Sequence, residues 1–193
     1  MTTDPSVLSI ALLHHPVLNK AGETIGSAVT NLDLHDISRA ARTYGVSDFF
    51  VATPYTDQRR LIEEIVDHWQ NGHGASANPA RREALGVVRP ATDLDEIRGA
   101  LFDRYQIRPL VVATSAHPQS REIGYGELRR RIRAGTSPVL LVFGTAHGLA
   151  PEIIDAADGV LPPIAARSDY NHLSVRSAVS ILLDRLMDRD RYQ

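Results

Sequence analysis

The sequence predicts an α/β domain, a mostly parallel sheet with helices on both faces. Two observations carry that reading. Short runs rich in Val, Ile and Leu alternate along the chain with longer stretches of helical periodicity. Several of the short runs are almost continuously apolar, as strands covered on both faces must be. The 193 residues contain no internal repeat or low-complexity segment, so a single domain spanning 1–193 is expected.

Taken in order, the apolar runs place strands at Ser6–Leu13, Phe49–Thr53, Leu85–Val88, Leu110–Thr114, Val139–Phe143 and Gly159–Leu161. Between them, spacings of three and four place helices at Asp33–Tyr44, Asp57–Asn71, Asp93–Tyr105, Gly126–Ala134, Pro151–Ala157 and Asn171–Asp188. Thr56 is the expected cap of the second helix, and Thr92 that of the third, with an acidic residue three positions on. The Gly-, Pro- and polar-rich stretch Asn71–Arg82 reads as a long loop.

Composition narrows the function. Without cysteine there is no thiolate zinc site, iron–sulfur cluster, disulfide or cysteine nucleophile. The N-terminus has no basic start, and its apolar run is short for a membrane span or signal peptide, so a cytoplasmic location is expected. A net charge of −2 argues against general coating of nucleic acid but allows a local basic patch. No Gly-rich dinucleotide turn follows the first strand, and no Walker lysine loop or nucleophile elbow occurs. The eight histidines lack metal-ligand spacing. His14 and His15, as neighbours on a strand, face opposite ways, so no metal is expected.

Three loops at the carboxyl ends of expected strands form the candidate site. They are Thr114-Ser115 with His117, Phe143-Gly144-Thr145 through Gly148, and Leu161 to Ile164 followed by Asp169 to Ser174. Glycines there let backbone approach an adenine edge, and Leu161, Ile164 and Leu173 offer an apolar slot. No lysine lies nearby for a triphosphate. On spacing alone, Gly144 and Gly148 read first as a simple turn before a helix.

Leu141 through Leu149 resembles the second signature of the SPOUT methyltransferases, and His172 through Ile181 the third, typically Ser-Leu-Asn-Val-Ser-x-Ala. Arg39 through Gly45 resembles the first, in which an Arg precedes a Gly by six residues. The three span nearly the whole chain in the family's order. Asn31–Arg39 and Asp169–Arg176 further resemble a bacterial subgroup related in fold to tRNA guanine-N1 methyltransferases. The resemblance implies a C-terminal trefoil knot, bound S-adenosylmethionine, an RNA substrate (tRNA or rRNA) and a homodimer. Four departures stand out: Ala146 where many relatives carry an acid, a Gly144–Gly148 spacing one residue shorter, Ser174 for the usual Asn, and Asp33 for an Asn. They leave open a second reading, a knotted module that binds RNA or protein with little or no catalysis.

On this resemblance the cofactor would meet Thr114, Ser115, Phe143, Gly144, Thr145, Gly148, Leu161, Ile164, Leu173 and Ser174. Arg39 lies opposite the apolar stripe Leu34, Ile37, Ala41 and Tyr44, so it points outward, either as a solvated side chain or as a stabiliser of the nucleophile. Asp169 and His172 are candidate proton acceptors, while Asn171 is equally a helix cap. Arg42, Arg121, Arg129 and Arg130 are candidate RNA contacts, or part of a solvated face. The apolar arc of the last helix suits either its own sheet or a dimer partner.

Overall fold

The computed structural model describes residues 7–168 and 170–187. Strand β1 (Leu8–Leu13) is buried along its whole length. A small hairpin follows, β2 (Val17–Leu18) against β3 (Thr24–Ile25). Helix α1 (Asn31–Thr43) leads to β4 (Phe49–Ala52), and α2 (Thr56–Gln70), α3 (His73–Ala77) and α4 (Pro79–Leu85) lead to β5 (Val88–Ala91). Then α5 (Leu94–Tyr105), β6 (Leu110–Thr114), α6 (Tyr125–Ala134), β7 (Val139–Gly144), α7 (Pro151–Ala156), β8 (Gly159–Leu161) and α8 (Val175–Met187) complete the described chain.

The main sheet is parallel throughout, in the order β5-β4-β1-β7-β6-β8. From β1 the chain winds outward to β4 and β5, then crosses to β6. That move leaves a gap which β7 fills, pairing with β1 on one side and β6 on the other. Winding therefore reverses between β1 and β7, which makes their carboxyl ends the crevice of the fold. Alternation along the strands divides the core in two. Leu8, Ile10 and Leu12 face α1, α2, α4, α6 and α8, whereas Ala11 and Leu13 face α5 and α7.

The expected strand at Leu85–Val88 is corrected by the structure: Leu85 ends α4, and the strand is Val88–Ala91. Pro90 is tolerated there because β5 is an edge strand. The expected loop Asn71–Arg82 instead holds α3 and most of α4, whose start is capped by Asn78 accepting from the Arg81 N–H at 3.0 Å, with Pro79 in the first turn. Trp69 anchors this region, with the Arg81 guanidinium 5.0 Å from its ring.

Three caps also differ. Thr56 lies inside α2, whose cap position is Tyr55 with no side-chain bond. Asp93, not Thr92, caps α5 by accepting from the Glu96 N–H, while Thr92 bonds the Glu96 carboxylate at 2.6 Å. At α8 it is Ser174, rather than Asn171, that accepts the N–H three residues on. The outer ends expected for the first strand and last helix, Ser6 and Asp188, lie outside the described residues.

Candidate active site

The carboxyl ends of β1, β7, β6 and β8 lie side by side, with Leu13 opposite Gly144 and Thr114 opposite Leu161. The loops leaving them enclose a cavity of about 760 Å³, the size of a nucleoside-type ligand site. Thr114 and Ser115 form one wall, and Thr114 is fixed by donating to the Val142 carbonyl at 3.0 Å. Phe143, Gly144, Thr145 and Gly148 form the second. Leu161 and Ile164 supply the apolar third, and Leu173 and Ser174 close it at the start of α8. All ten residues expected at the cofactor thus line one cavity, although they come from separate stretches of chain.

The β7 loop is held tightly. Ala146 adopts a positive φ of 52° and Gly148 one of 111°, which turns the chain back on itself. A Cβ on Gly144 would lie 2.7 Å from the Leu149 nitrogen and 2.9 Å from the Gly148 carbonyl carbon. From outside, the hairpin buttresses this turn: Leu18 N–H donates to Gly148 O and His147 N–H to Leu18 O, both at 2.9 Å. The hairpin in turn is set by Asn19, whose Oδ1 accepts from the Ala21 and Glu23 amides.

Sequence reasoning missed the wall contributed by the approach to α1, Ser27 to Asp33. Thr30 caps that helix, and its hydroxyl donates to the Asp33 carboxylate at 2.6 Å. Arg176 lies 3.3 Å from Asp33 and 3.4 Å from Asp36, which fastens the start of α8 to α1 beside the cavity. The pattern Thr-x-x-Asp was the available signal. Among the described residues the cavity wall contains Asp33 and Asp155 but no Lys or Arg. Both carboxylates have arginine partners behind them, Arg176 for Asp33 and Arg121 for Asp155, so the wall offers a polyphosphate no unpaired cation.

Other candidates fall elsewhere. His172 lines the cavity, 5.1 Å edge-on from Tyr170, and Asn171 donates to the Ala116 carbonyl at 3.3 Å. Asp169 lies outside the described residues. Arg39 is exposed, does not line the cavity and makes no ion pair among the described residues. Arg42 instead grips Glu83 through two nitrogens, at 2.8 and 2.6 Å, and joins α1 to α4. Arg129 donates to the Arg185 carbonyl, with its Nε buried. Arg130 is exposed on α6.

Arg121 has a local task. Its guanidinium donates to the carbonyls of Ala157, Ile154 and Asp155 at 2.9–3.0 Å, which caps the end of α7. Arg121→Ala is therefore expected to lower unfolding free energy by about 1–2 kcal/mol in denaturant titration. An unchanged midpoint would refute the capping role.

Solved methyltransferase structures share this fold. TrmJ from Z. mobilis superimposes with a TM-score of 0.61 at 16% identity, over 94% of this chain and 69% of that one. AviRb from Streptomyces viridochromogenes, solved with AdoMet, gives 0.56 at 16% identity, over 96% and 58%. Family membership follows from sequence: residues 7–188 match the SAM-dependent RNA methyltransferase family, and the chain belongs to it. An uncharacterized protein of Aquifex aeolicus is 41% identical over 94% of this chain and 89% of its own length. A protein of Oleidesulfovibrio alaskensis named tRNA (guanine-N(1)-)-methyltransferase is 45% identical over 93% of this chain, which spans only 42% of that relative.

Proposed function

We propose that this protein binds S-adenosylmethionine in the cavity and transfers its methyl group to RNA, with tRNA as the substrate class. The observation that carries the reading is the meeting of the motif residues at one cavity, whose described wall contains no Lys or Arg. Two relatives named for tRNA methylation support the choice of RNA, although this chain corresponds to 42% of each.

Leu161, Ile164 and Leu173 would hold the adenine, and the hydroxyls of Thr114, Ser115 and Thr145 would meet polar groups of the nucleoside and amino acid. When bound, S-adenosylmethionine supplies a sulfonium methyl open to in-line displacement. The protein's own tasks are to hold the acceptor nucleotide in line and to take up its proton. His172, at the cavity wall, is the proton acceptor in this reading, and Asp169 the second candidate.

Arg39 stands on the outer side of its own protomer, so we place its role in a homodimer, at the partner's cavity. The trefoil crossing that the resemblance implies is part of this proposal; α8, which follows edge strand β8 in the chain, packs on α1 and α6.

Arg39→Ala should leave S-adenosylhomocysteine affinity within about twofold of wild type while lowering methyl transfer to tRNA by about 100-fold. Mixing it with a cavity-defective Gly144 variant should restore activity, because a mixed dimer keeps one intact pair. Full transfer by Arg39→Ala would remove that residue from the mechanism. Cofactor binding with no transfer to cellular tRNA or rRNA would favour the binding-module reading that Ala146 and Ser174 leave open.

A further inference from the structure

Behind the cavity lies a line of polar atoms that the proposed chemistry does not use. His14, the first residue after β1, is fully buried. Its Nδ1 is 3.0 Å from Ser27 Oγ, Ser27 Oγ bonds Thr145 Oγ1, and Thr145 Oγ1 lies 3.3 Å from the Leu13 carbonyl oxygen. Ser27 and Thr145 both line the cavity, and His14 does not.

Elementary hydrogen-bond counting gives the line a direction. The Leu13 carbonyl can only accept, so Thr145 spends its proton there. Ser27 also lies 3.4 Å from the His14 carbonyl, but its closer contact with Thr145 needs a proton that Thr145 no longer has; Ser27 therefore donates to Thr145, and His14 must donate from Nδ1 to Ser27. The reversed line would put the imidazole proton on Nε2, a buried atom without any partner among the described residues. A buried N–H without an acceptor is rarer than a buried lone pair without a donor. The reversed line also gives up the bond to Leu13.

A consequence follows for the ligand. With their protons committed, the Ser27 and Thr145 hydroxyls each retain accepting capacity and no proton to offer. We propose that His14 is a positioning residue which, through Ser27, holds the Thr145 hydroxyl as an acceptor, so that this wall selects a ligand donor such as a ribose hydroxyl or an ammonium group. The inference rests on the reading of the cavity as the S-adenosylmethionine site, whose product carries both kinds of donor.

The test is a double-mutant cycle on S-adenosylhomocysteine binding, measured by calorimetry. His14→Phe and Thr145→Val should each weaken binding by about tenfold, and the double variant by no more than either alone. His14→Asn, which returns an amide donor near the Nδ1 position, should recover most of the loss. Additive losses in the double variant, or a His14→Phe protein that binds as wild type does, would overturn the proposal while leaving the cofactor site standing. Wild-type protein that fails to bind would instead bring down the cofactor reading, and this inference with it. Should His14→Phe fail to fold, nitrogen-15 spectra of the wild-type imidazole decide: a proton on Nδ1 supports the relay, and a proton on Nε2 overturns it.

Discussion

Replacing Gly144 with Val should abolish S-adenosylhomocysteine binding, a loss of at least about 100-fold. A single Cβ at this position meets the Leu149 nitrogen at 2.7 Å and the Gly148 carbonyl carbon at 2.9 Å. Both are backbone atoms, so no side-chain rotation relieves the overlap. The turn cannot swing away either, because the β2–β3 hairpin bonds it from outside at His147 and Gly148, and Ala150 N–H donates to Pro16 O at 3.3 Å. The strain must open the loop or loosen the hairpin, at a cost of about 1–3 kcal/mol in stability. Either movement shifts Thr145 and Phe143, which line the cavity. Thermal melting separates the two effects: a folded variant with a lowered midpoint and no binding is the expected result. A folded variant that binds as wild type does would remove the β7 loop from the cofactor site.

The parts of the molecule legible in the sequence are those where one local rule acts alone. β6 and β8 occupy the expected residues because each is a short apolar run bounded by polar or Pro-containing turns. β5 was displaced because Leu85-Gly86-Val87-Val88 is one apolar run that straddles the end of a helix and the start of a strand. The two short helices before it carry a readable mark, Asn78-Pro79, but too few turns to show a period.

For the site, composition and spacing gave loops at strand ends, and only the family resemblance joined those loops to a cofactor. The Ser27–Asp33 wall carries one readable mark, the Thr-x-x-Asp cap, but its place at the cavity depends on packing against Thr145, more than a hundred residues away. Arg121 looked like part of a basic face because its true partners, the last carbonyls of α7, are set by tertiary structure.

Burial of His14 makes a second large effect measurable. Desolvation pushes its pKa from 6.5 down to about 4, against the opposing pull of the Asp33 charge and of the Ser27 and Ala28 backbone. The unfolded chain takes up a proton at this imidazole near pH 6.5, whereas the folded protein does so only near pH 4. Between those values the unfolded state holds more protons, so stability falls as pH falls. His14 contributes its full share above about pH 6.5, loses it through the window, and adds no further change below about pH 4. The whole displacement corresponds to about 3 kcal/mol. Burial likewise lowers the pKa of His35, and the remaining ionisable groups add their own pH dependence. They remain in a His14→Asn variant, so the difference between the two proteins isolates His14. Denaturant titrations at pH 7 and pH 4.5 should show the stability gap shifting in favour of the variant by about 2–3 kcal/mol on acidification. Parallel losses in both proteins would mean that the imidazole is charged in the fold, and the directed hydrogen-bond line from His14 to Thr145 would lose its neutral donor.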